Sequence, residues 1–393
     1  MDFLKRAWAE INLDNALYNW NEIKKLSAGR KIMPVVKADA YGHGANVLAK
    51  LYEDNGADFF AVSNINEAIK LRKYGIKKDI LVLGFTPITY IQQMYAFNIT
   101  QAVYCLDYAK QLSDAASNNN FVIKTHIKLD TGMSRIGFNC RNESLLGLSE
   151  VKECLSLPSL KFKGIFTHFS SADSNNQDDI KFTEKQYSLF YKTVESLKEN
   201  GVNFEFVHCC NSAASALRSS DYGNLIRPGI ILYGLPPAVG LDIGYVPKPV
   251  MSVKSAVSMI KVIDKGDSVA YGRTFTATQK TKLATVPIGY ADGYPRVMSN
   301  KGKVIINGQF APIVGRICMD QMTVDVSNIK NVDISTEVTL IGQDGGLSIS
   351  FDDIANMCDT ISYEIMCNVS IRMPRVYKKD NKTTDVVYLG GTL

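Results

Sequence analysis

A lysine followed by a glycine-rich loop is the most chemically suggestive feature of the chain. Lys37 ends a short β-branched run, and the loop after it contains Tyr41, Gly42 and Gly44. Parallel α/β folds place their chemistry at the carboxyl ends of strands. Lysine is also the side chain that forms Schiff bases with carbonyl cofactors. An isolated lysine at a strand end is usually a surface residue, so its role depends on what other strand ends supply.

Several later strand ends supply polar side chains in apolar surroundings. In a closed barrel these ends meet at one mouth. Taken singly, His168 would be an ordinary buried histidine, and Asn211-Ser212 would be the start of a helix. Together they predict a single site. The residues concerned are Lys128, Asp130, Arg135, His168, Asp173, Asn211, Ser212 and Arg227.

These side chains match the two ends of pyridoxal phosphate (PLP). Ser212 and the backbone amides after Gly229 would seat a phosphate near the last two predicted strands, 205–208 and 224–227, opposite Lys37. Arg227 lies between them and could reach the pyridine nitrogen. Arginine keeps its proton at ordinary pH, so it would donate to an unprotonated ring nitrogen. The ring would then be a weaker electron sink than one paired with an aspartate.

The elements that position these residues predict a (β/α)₈ TIM barrel in the first two-thirds of the chain. A doubly wound sheet is the alternative. Eight strands are predicted at 32–36, 59–62, 80–83, 101–104, 122–129, 163–167, 205–208 and 224–227, of which the last is the weakest. Helical spacing occurs at 15–27, 45–54, 66–74, 88–97, 107–118, 143–155, 180–199 and 212–219.

The last third of the chain predicts a separate, mainly β domain. Prolines and glycines at 235–250 indicate a linker, which divides the chain into a barrel at 1–240 and a β domain at 241–393. Residues 1–14 contain an alternating strand that could join the β domain. A helix is predicted at 350–359 after Ser350. The predicted strands are 253–262, 282–287, 303–306, 311–314, 323–326, 337–341 and 386–389, with turns at Asn307-Gly308 and Gly345-Gly346.

Composition argues against several other classes of protein. The chain has 393 residues, 46% of them hydrophobic, and a formal charge of +5 without a dense basic run, so nucleic acid is not an expected partner. The eight cysteines include no CxxC pair and there are only four histidines, so no zinc site is predicted. The N-terminus lacks a signal-like apolar segment and no stretch suits a membrane span. These features predict a cytoplasmic protein with reduced cysteines.

The motifs resemble those of alanine racemases. The loop at 36–44 is similar to the PLP-lysine motif of that family, and further similar blocks follow in order through both predicted domains. Cys140, Cys209 and Cys210 stand beside these blocks and are interpreted as packing residues. The blocks lie at 36–44, 128–137, 167–169, 211–212, 227–229, 270–274, 289–296, 315–321 and 363–364.

The resemblance implies interconversion of L- and D-alanine by two bases on a homodimer, which would supply D-alanine for peptidoglycan. Lys37 would act on D-alanine, and Tyr271 from the other subunit on L-alanine. His168 would hydrogen-bond Tyr271, with Arg227 beyond it, and Lys128 would be carbamylated by CO₂. The resemblance also implies contacts to the cofactor from Tyr41, Asn211, Ser212, Gly229, Ile230 and Tyr363. The substrate carboxylate would be bound by Arg135 and the Met319 amide. The entry to the site would be surrounded by Asp173, Tyr290, Arg296, Tyr363 and Asp320.

Three other functions remain open from the sequence. Racemisation of another small amino acid such as serine is the nearest. A PLP amino-acid decarboxylase would share a barrel and a β domain, but Arg227 stands where an acidic partner to the ring nitrogen is wanted. A non-catalytic PLP-binding barrel would have no use for residues 250–393 and Tyr271.

Overall fold

The computed structural model describes residues 3–218 and 221–388. The chain divides into two compact units. One, the barrel unit, comprises Leu17–Ala40 and Ala45–Lys248; the other, the β unit, comprises Met1–Ala16, Tyr41–Gly44 and Pro249–Leu393. Within the described residues, no helix has both the length and the apolar composition needed to cross a membrane.

The barrel unit is the predicted (β/α)₈ barrel. Six strands form a continuous parallel sheet in chain order, and the last strand pairs in parallel with the first. Val35 bridges to Ala61 in parallel, and the Arg227 N–H donates to the Cys210 carbonyl at 3.0 Å, which closes the ring at both joins. The strands are Lys31–Ile32, Phe59–Val62, Asp79–Val82, Ile99–Val103, Ile123–Asp130, Leu160–Phe166, Phe206–His208 and Leu225–Ile226, with a short extra strand at Phe138–Asn139.

The helices of the barrel alternate with its strands. Their starts follow ordinary capping chemistry: the Asn64 side chain accepts from the Glu67 N–H, and Asn211 accepts from the Ala214 N–H. A 3₁₀ turn at Ile230–Tyr233 follows the last strand. The helices are Leu13–Leu26, Ala45–Asp54, Ile65–Tyr74, Ile91–Ala96, Leu106–Asn118, Leu148–Leu155, Gln177–Glu199 and Ser212–Leu217.

Three predicted barrel elements need correction. The first strand is a ladder at Lys31–Ile32 only, because Pro34 has no N–H to donate. The helix predicted at 88–97 is a 3₁₀ turn at Ile88–Tyr90 followed by an α-helix. The helix predicted at 143–155 begins only at Leu148, because Gly147 packs directly against the backbone of Asn139. The predicted end at 219 lies outside the described residues.

The β unit is built around the first strand of the chain. Ala7–Asn12 lies between Met251–Ala256, which is antiparallel to it, and Arg375–Lys379, which is parallel. The remaining strands of this sheet are Lys303–Ile306, Gln309–Pro312, Glu337–Asp344, Leu347–Ile349 and Lys382–Val387. A second sheet contains Met259–Ile263, Thr281–Val286 and Met322–Asp325, and a two-stranded ribbon pairs Ser268–Val269 with Phe275–Thr276.

Local sequence explains most of these elements. Asn307 and Gly308 have φ of 48° and 69°, as a two-residue hairpin turn requires. Ser350 caps Phe351–Met357 with Asp353 in a capping box, and a second helix, Ser362–Cys367, was not predicted. The strand predicted at 253–262 is two strands, because Val257 and Ser258 carry the chain from one sheet to the other. The last strand ends at Val387, and residue 389 lies outside the described residues.

Candidate active site

The loop after Lys37 is a left-handed helical turn. Residues 38–41 have φ of 50°, 53°, 55° and 53°, although none is glycine. Each L-residue in this conformation costs about 1–2 kcal/mol. Consecutive residues of this kind persist only where the surroundings impose them, most often at functional sites.

Hydrogen bonds within the barrel unit hold the start of this turn. The Ala38 N–H donates to Glu67 Oε1 at 2.8 Å, and the Ala40 N–H donates to the Val36 carbonyl at 2.9 Å. Asp39 accepts from the Ala45 N–H at 3.0 Å. These contacts fix the backbone directly after Lys37, and so they fix where its side chain starts.

This strain can be measured at Ala38, which is exposed and has no buried methyl group to lose. Glycine adopts positive φ at no steric cost, so Ala38→Gly is expected to raise the free energy of unfolding by about 0.5–1 kcal/mol. The matched control is Ala115→Gly inside the helix Leu106–Asn118, which is expected to lower it by a similar amount. Urea denaturation compares the two. A loss of stability in both variants would show that the turn is not strained.

The end of the loop, Tyr41–Gly44, belongs to the β unit. Arg375 is buried and its guanidinium donates to the carbonyls of Gly42, Val369, Ser370 and Met373 at 2.6–2.8 Å. A Cβ on Gly42 would lie 2.6 Å from the Met366 carbonyl oxygen, so only glycine fits there.

Two further residues of this segment contact other parts of the β unit. His43 is fully buried and its Nδ1 lies 3.0 Å from the Tyr41 carbonyl, to which it donates. The Tyr377 hydroxyl donates to the His43 carbonyl at 3.1 Å. The rings of Tyr41 and Tyr363 are 6.0 Å apart, so two residues predicted to contact phosphate are neighbours. His43, for which the sequence offered no role, therefore helps to anchor the loop.

Arg227 is a buried cation at the carboxyl end of the last barrel strand. Its guanidinium lies 2.9 Å from His208 Nδ1 and 3.1 Å from His168 Nδ1. It also donates to the carbonyls of Thr167 at 2.9 Å and Cys209 at 3.2 Å. Arginine has no acceptor, so both imidazole nitrogens must accept. Burial lowers the pKa of Arg227 to about 10, which leaves it charged at neutral pH.

The environment of His168 is strongly positive. Burial is the first cause that lowers the pKa of this ring well below its ordinary value, and the charges of Arg227, Lys128, Arg135 and Lys37 lower it further. His168 is therefore a neutral imidazole at physiological pH. Lys37, Arg135 and Arg227, grouped around one buried histidine, favour the binding of anionic groups at this mouth.

Lys128 is almost fully buried and donates to the carbonyl of Leu129. Burial, followed by the charge of Arg227, lowers its pKa to about 7. Asp130, the alternative partner for this lysine, accepts instead from the N–H groups of Gly132 and Ser134, each at 3.0 Å. A substantial fraction of Lys128 is therefore a neutral amine at pH 7, the form that can attack CO₂.

The pKa of Lys128 makes stability depend on pH. Between about pH 7 and the ordinary value of 10.5, the unfolded chain keeps a proton that the folded chain has released. The free energy of unfolding should therefore rise with pH in this window, by at most about 1.4 kcal/mol per unit. Denaturant titrations in CO₂-free buffer would measure this rise, and Lys128→Met should remove it. An equal slope in both proteins would contradict the lowered pKa.

Four residues that follow strands 7 and 8 of the barrel lie close together. The Gly229 N–H donates to Ser212 Oγ at 2.8 Å, and Asn211 caps the helix that Ser212 begins. Ile230 opens the 3₁₀ turn that follows. The barrel unit thus brings Asn211, Ser212, Gly229 and Ile230 into one small region beside Arg227.

The β unit carries the other predicted residues. Tyr271 opens a 3₁₀ turn and is 70% exposed. The N–H of Tyr290 donates to the Cys318 carbonyl at 3.1 Å, which places the Tyr290 loop beside Met319. Asp320 forms an ion pair with Arg372 at 2.8 Å. Arg296 is exposed in this unit; Asp173 is half-buried in the barrel unit.

Three buried side chains were not predicted: His126 and His208, as a partner of Arg227, in the barrel unit, and Arg375 in the β unit. His126, Lys128 and Asp130 alternate with apolar residues along a strand in which every residue but Lys124 is buried. Alternate residues of a strand face the same side, so this pattern indicated a polar face inside the barrel. Arg375 had no comparable signal.

The barrel, its basic mouth and the β unit define a two-domain barrel enzyme. The family description "Alanine racemase, N-terminal domain" matches residues 11–237, and "Alanine racemase, C-terminal domain" matches residues 250–377. The chain belongs to the alanine racemase family, whose members are isomerases.

Relatives match over almost the whole chain. An alanine racemase of Clostridium novyi is 46% identical over 98% of this chain and 98% of its own length. The structure of alanine racemase from Clostridium difficile 630 superposes with a TM-score of 0.92 at 38% identity, covering 99% and 100% of the two chains. That of Bacillus anthracis alanine racemase with bound L-Ala-P has a TM-score of 0.91 at 34% identity, covering 99% of each chain.

Proposed function

We propose that this protein interconverts L- and D-alanine by a two-base mechanism that depends on PLP. The observation that carries the proposal is the group of Lys37, Arg135 and Arg227 around neutral His168. A phosphate and a substrate carboxylate are both anions, and this mouth offers the compensating charge. Family membership supplies the reaction class.

The donor set fits PLP. Lys37 would hold it covalently, and Arg227 would donate to its pyridine nitrogen. Bound PLP supplies an electron sink that acidifies the α-proton of an attached amino acid. Among the described residues, Arg227 hydrogen-bonds two neutral histidines and two carbonyls and no carboxylate. None of these acceptors is basic enough to take its proton, so Arg227 stays a donor. Tyr41, Asn211, Ser212, Gly229, Ile230 and Tyr363 would surround the phosphate.

Two bases on opposite faces of the substrate would move the proton. Lys37 would take the α-proton of D-alanine. Tyr271 of a second copy of the chain would take that of L-alanine, which requires a homodimer. The exposure of Tyr271 supports a role at such an interface.

His168 would help Tyr271 to act near neutral pH. Its Nδ1 accepts from Arg227, so a neutral ring carries its proton on Nε2. That N–H can donate to the tyrosine oxygen. A hydrogen bond to the phenolate oxygen stabilises the charged form, which is the form that can accept a proton.

Arg135 and the Met319 amide would bind the substrate carboxylate. We propose that CO₂ carbamylates Lys128: the neutral amine gains the carboxyl group and releases a proton. The resulting anion would attract and orient Arg135, whereas an ammonium would repel it. Asp173, Tyr290, Arg296, Tyr363 and Asp320 would line or support the entry.

The remaining proposals concern the cellular role of the protein and the boundary between its domains. Supply of D-alanine for peptidoglycan in the cytoplasm is the role that the family resemblance implies. The division into domains at residues 240 and 241 also stays a prediction from the sequence.

A racemisation assay with purified protein tests the function. Alanine, serine, lysine and arginine are offered as single enantiomers, with and without added PLP, and loss of optical purity is followed. Alanine should react fastest and only with PLP. Faster turnover of serine would assign the site to another amino acid, and release of CO₂ without racemisation would indicate a decarboxylase.

A further inference from the structure

A line of hydrogen-bonded nitrogens runs from Arg227 into the barrel interior. Arg227 Nη1 lies 2.9 Å from His208 Nδ1, and His208 Nε2 lies 2.9 Å from Nδ1 of His126. Both imidazoles are completely buried. This line starts at the proposed partner of the cofactor and ends at a histidine for which the mechanism has no use.

The donors fix the proton positions along this line. Arginine can only donate, so His208 Nδ1 accepts and its proton is on Nε2. That proton is donated to His126 Nδ1, which leaves the His126 proton on Nε2. Burial lowers the pKa of His126 to about 3, and burial with the charge of Arg227 lowers that of His208 well below its ordinary value. Both rings are therefore neutral.

His126 is costly for stability. Its Nε2 has no hydrogen-bond partner among the described residues, and its ring packs against Phe59 and Phe206 with centroids 5.5 and 5.6 Å away. A buried donor without an acceptor costs about 1–3 kcal/mol. An apolar side chain of similar size would avoid that cost, so the role of His126 must come from its Nδ1.

The neighbouring strand makes room for this ring. A Cβ on Gly164 would lie 2.6 Å from His126 Nδ1 and from Cε1. Gly164 is not among the residues with positive φ. Its lack of a side chain is therefore explained by the His126 ring and not by the backbone.

We propose that His126 is a positioning residue that holds the His208 ring in place and thereby the orientation of Arg227. By accepting the His208 Nε2 proton, it keeps the Nδ1 lone pair of His208 directed at the guanidinium. The consequence for catalysis rests on the proposed function; the hydrogen bond from His208 to His126 does not.

Nitrogen-15 spectra of histidine-labelled protein without cofactor test the tautomer. The chain has four histidines, so single substitutions assign every signal. His126, His168 and His208 should carry their protons on Nε2, and His43 should carry one on Nδ1. In His126→Phe the His208 Nε2–H loses its acceptor, so the His208 Nε2 signal should shift from its wild-type position, and His126→Asn should restore it because Oδ1 replaces Nδ1 as acceptor. Unchanged His208 signals in His126→Phe would overturn the inference.

Gly164→Ala should also deprive His208 of its acceptor, since the added methyl displaces the His126 ring. It should shift the His208 signals in the same direction as His126→Phe, and wild-type signals would count against the proposal. Because this measurement needs neither cofactor nor substrate, a protein without racemase activity would refute the proposed function and leave the tautomer assignment standing.

Kinetics of the loaded enzyme separate positioning from packing. His126→Phe should lower kcat by about 10- to 100-fold, as loss of an outer hydrogen-bond partner does at metal-bound histidines, with little change in KM. Its thermal stability should equal or exceed that of the wild type, and His126→Asn should regain most of the rate. A loss of rate only in proportion to lost stability would assign His126 a structural role.

Discussion

Lys37→Ala is expected to abolish the visible absorbance of covalently bound PLP and to lower racemisation by more than about 10³-fold. The variant removes both the covalent anchor and one of the two proposed bases, and a positioned base alone contributes about 10²–10⁴-fold. Absorbance spectra and the alanine assay measure the two effects separately.

Lys50→Ala is the matched control, because Lys50 is an exposed lysine paired with Asp54 on a barrel helix. It should leave both quantities unchanged. Persistence of the absorbance in Lys37→Ala would mean that another lysine holds the cofactor, and Lys128 would then be the first to examine.

Tyr271→Phe is expected to slow removal of the α-proton from L-alanine by about 10²–10⁴-fold and to affect D-alanine less. The phenylalanine ring keeps the shape of the side chain but has no oxygen to accept the proton. Exchange of the α-proton with deuterated solvent, started from each enantiomer, measures the two directions. Tyr74→Phe, an exposed tyrosine on a barrel helix, is the control. Equal losses in both directions would contradict the assignment of one base to each enantiomer.

Mixing the two inactive variants tests whether the site is shared. A dimer of one Lys37→Ala chain and one Tyr271→Phe chain has one site in which both residues are intact. If chains assort at random, about half of the dimers are mixed, so roughly a quarter of wild-type activity should return. No recovery after confirmed subunit exchange would place both bases in one chain.

The barrel was predictable because most of its strands have a recognisable local sequence pattern. Buried apolar runs such as Phe59–Val62 alternate with amphipathic helices, and eight such units usually close into a barrel. The closing strand, Leu225–Ile226, was the weakest prediction because its ladder is only two residues long. Short ladders depend on neighbours that lie far away in sequence.

The sequence predicts site residues by their type and strand position but not their surroundings, and their roles stay predictions. Lys37 and Arg227 follow the first and last barrel strands. The left-handed turn at 38–41 could not be predicted, since Ala-Asp-Ala-Tyr contains no glycine and only Asp39 is of a type that occasionally adopts positive φ, as a single residue. The link from Arg227 to His126 joins strands 8, 7 and 5, so no local pattern reports it.

The hydrogen bond from Arg375 to Gly42, in the loop after Lys37, affects the order in which parts of the chain can fold during its synthesis. Gly42 lies 333 residues before Arg375 in the chain. At about 5–20 residues per second, a ribosome needs roughly 20–70 seconds to cover that distance. During this interval the barrel strands are already available to pair, but Gly42 still lacks its guanidinium partner. A chain released before residue 375 is therefore expected to form much of a barrel and yet lack the means to fix this loop.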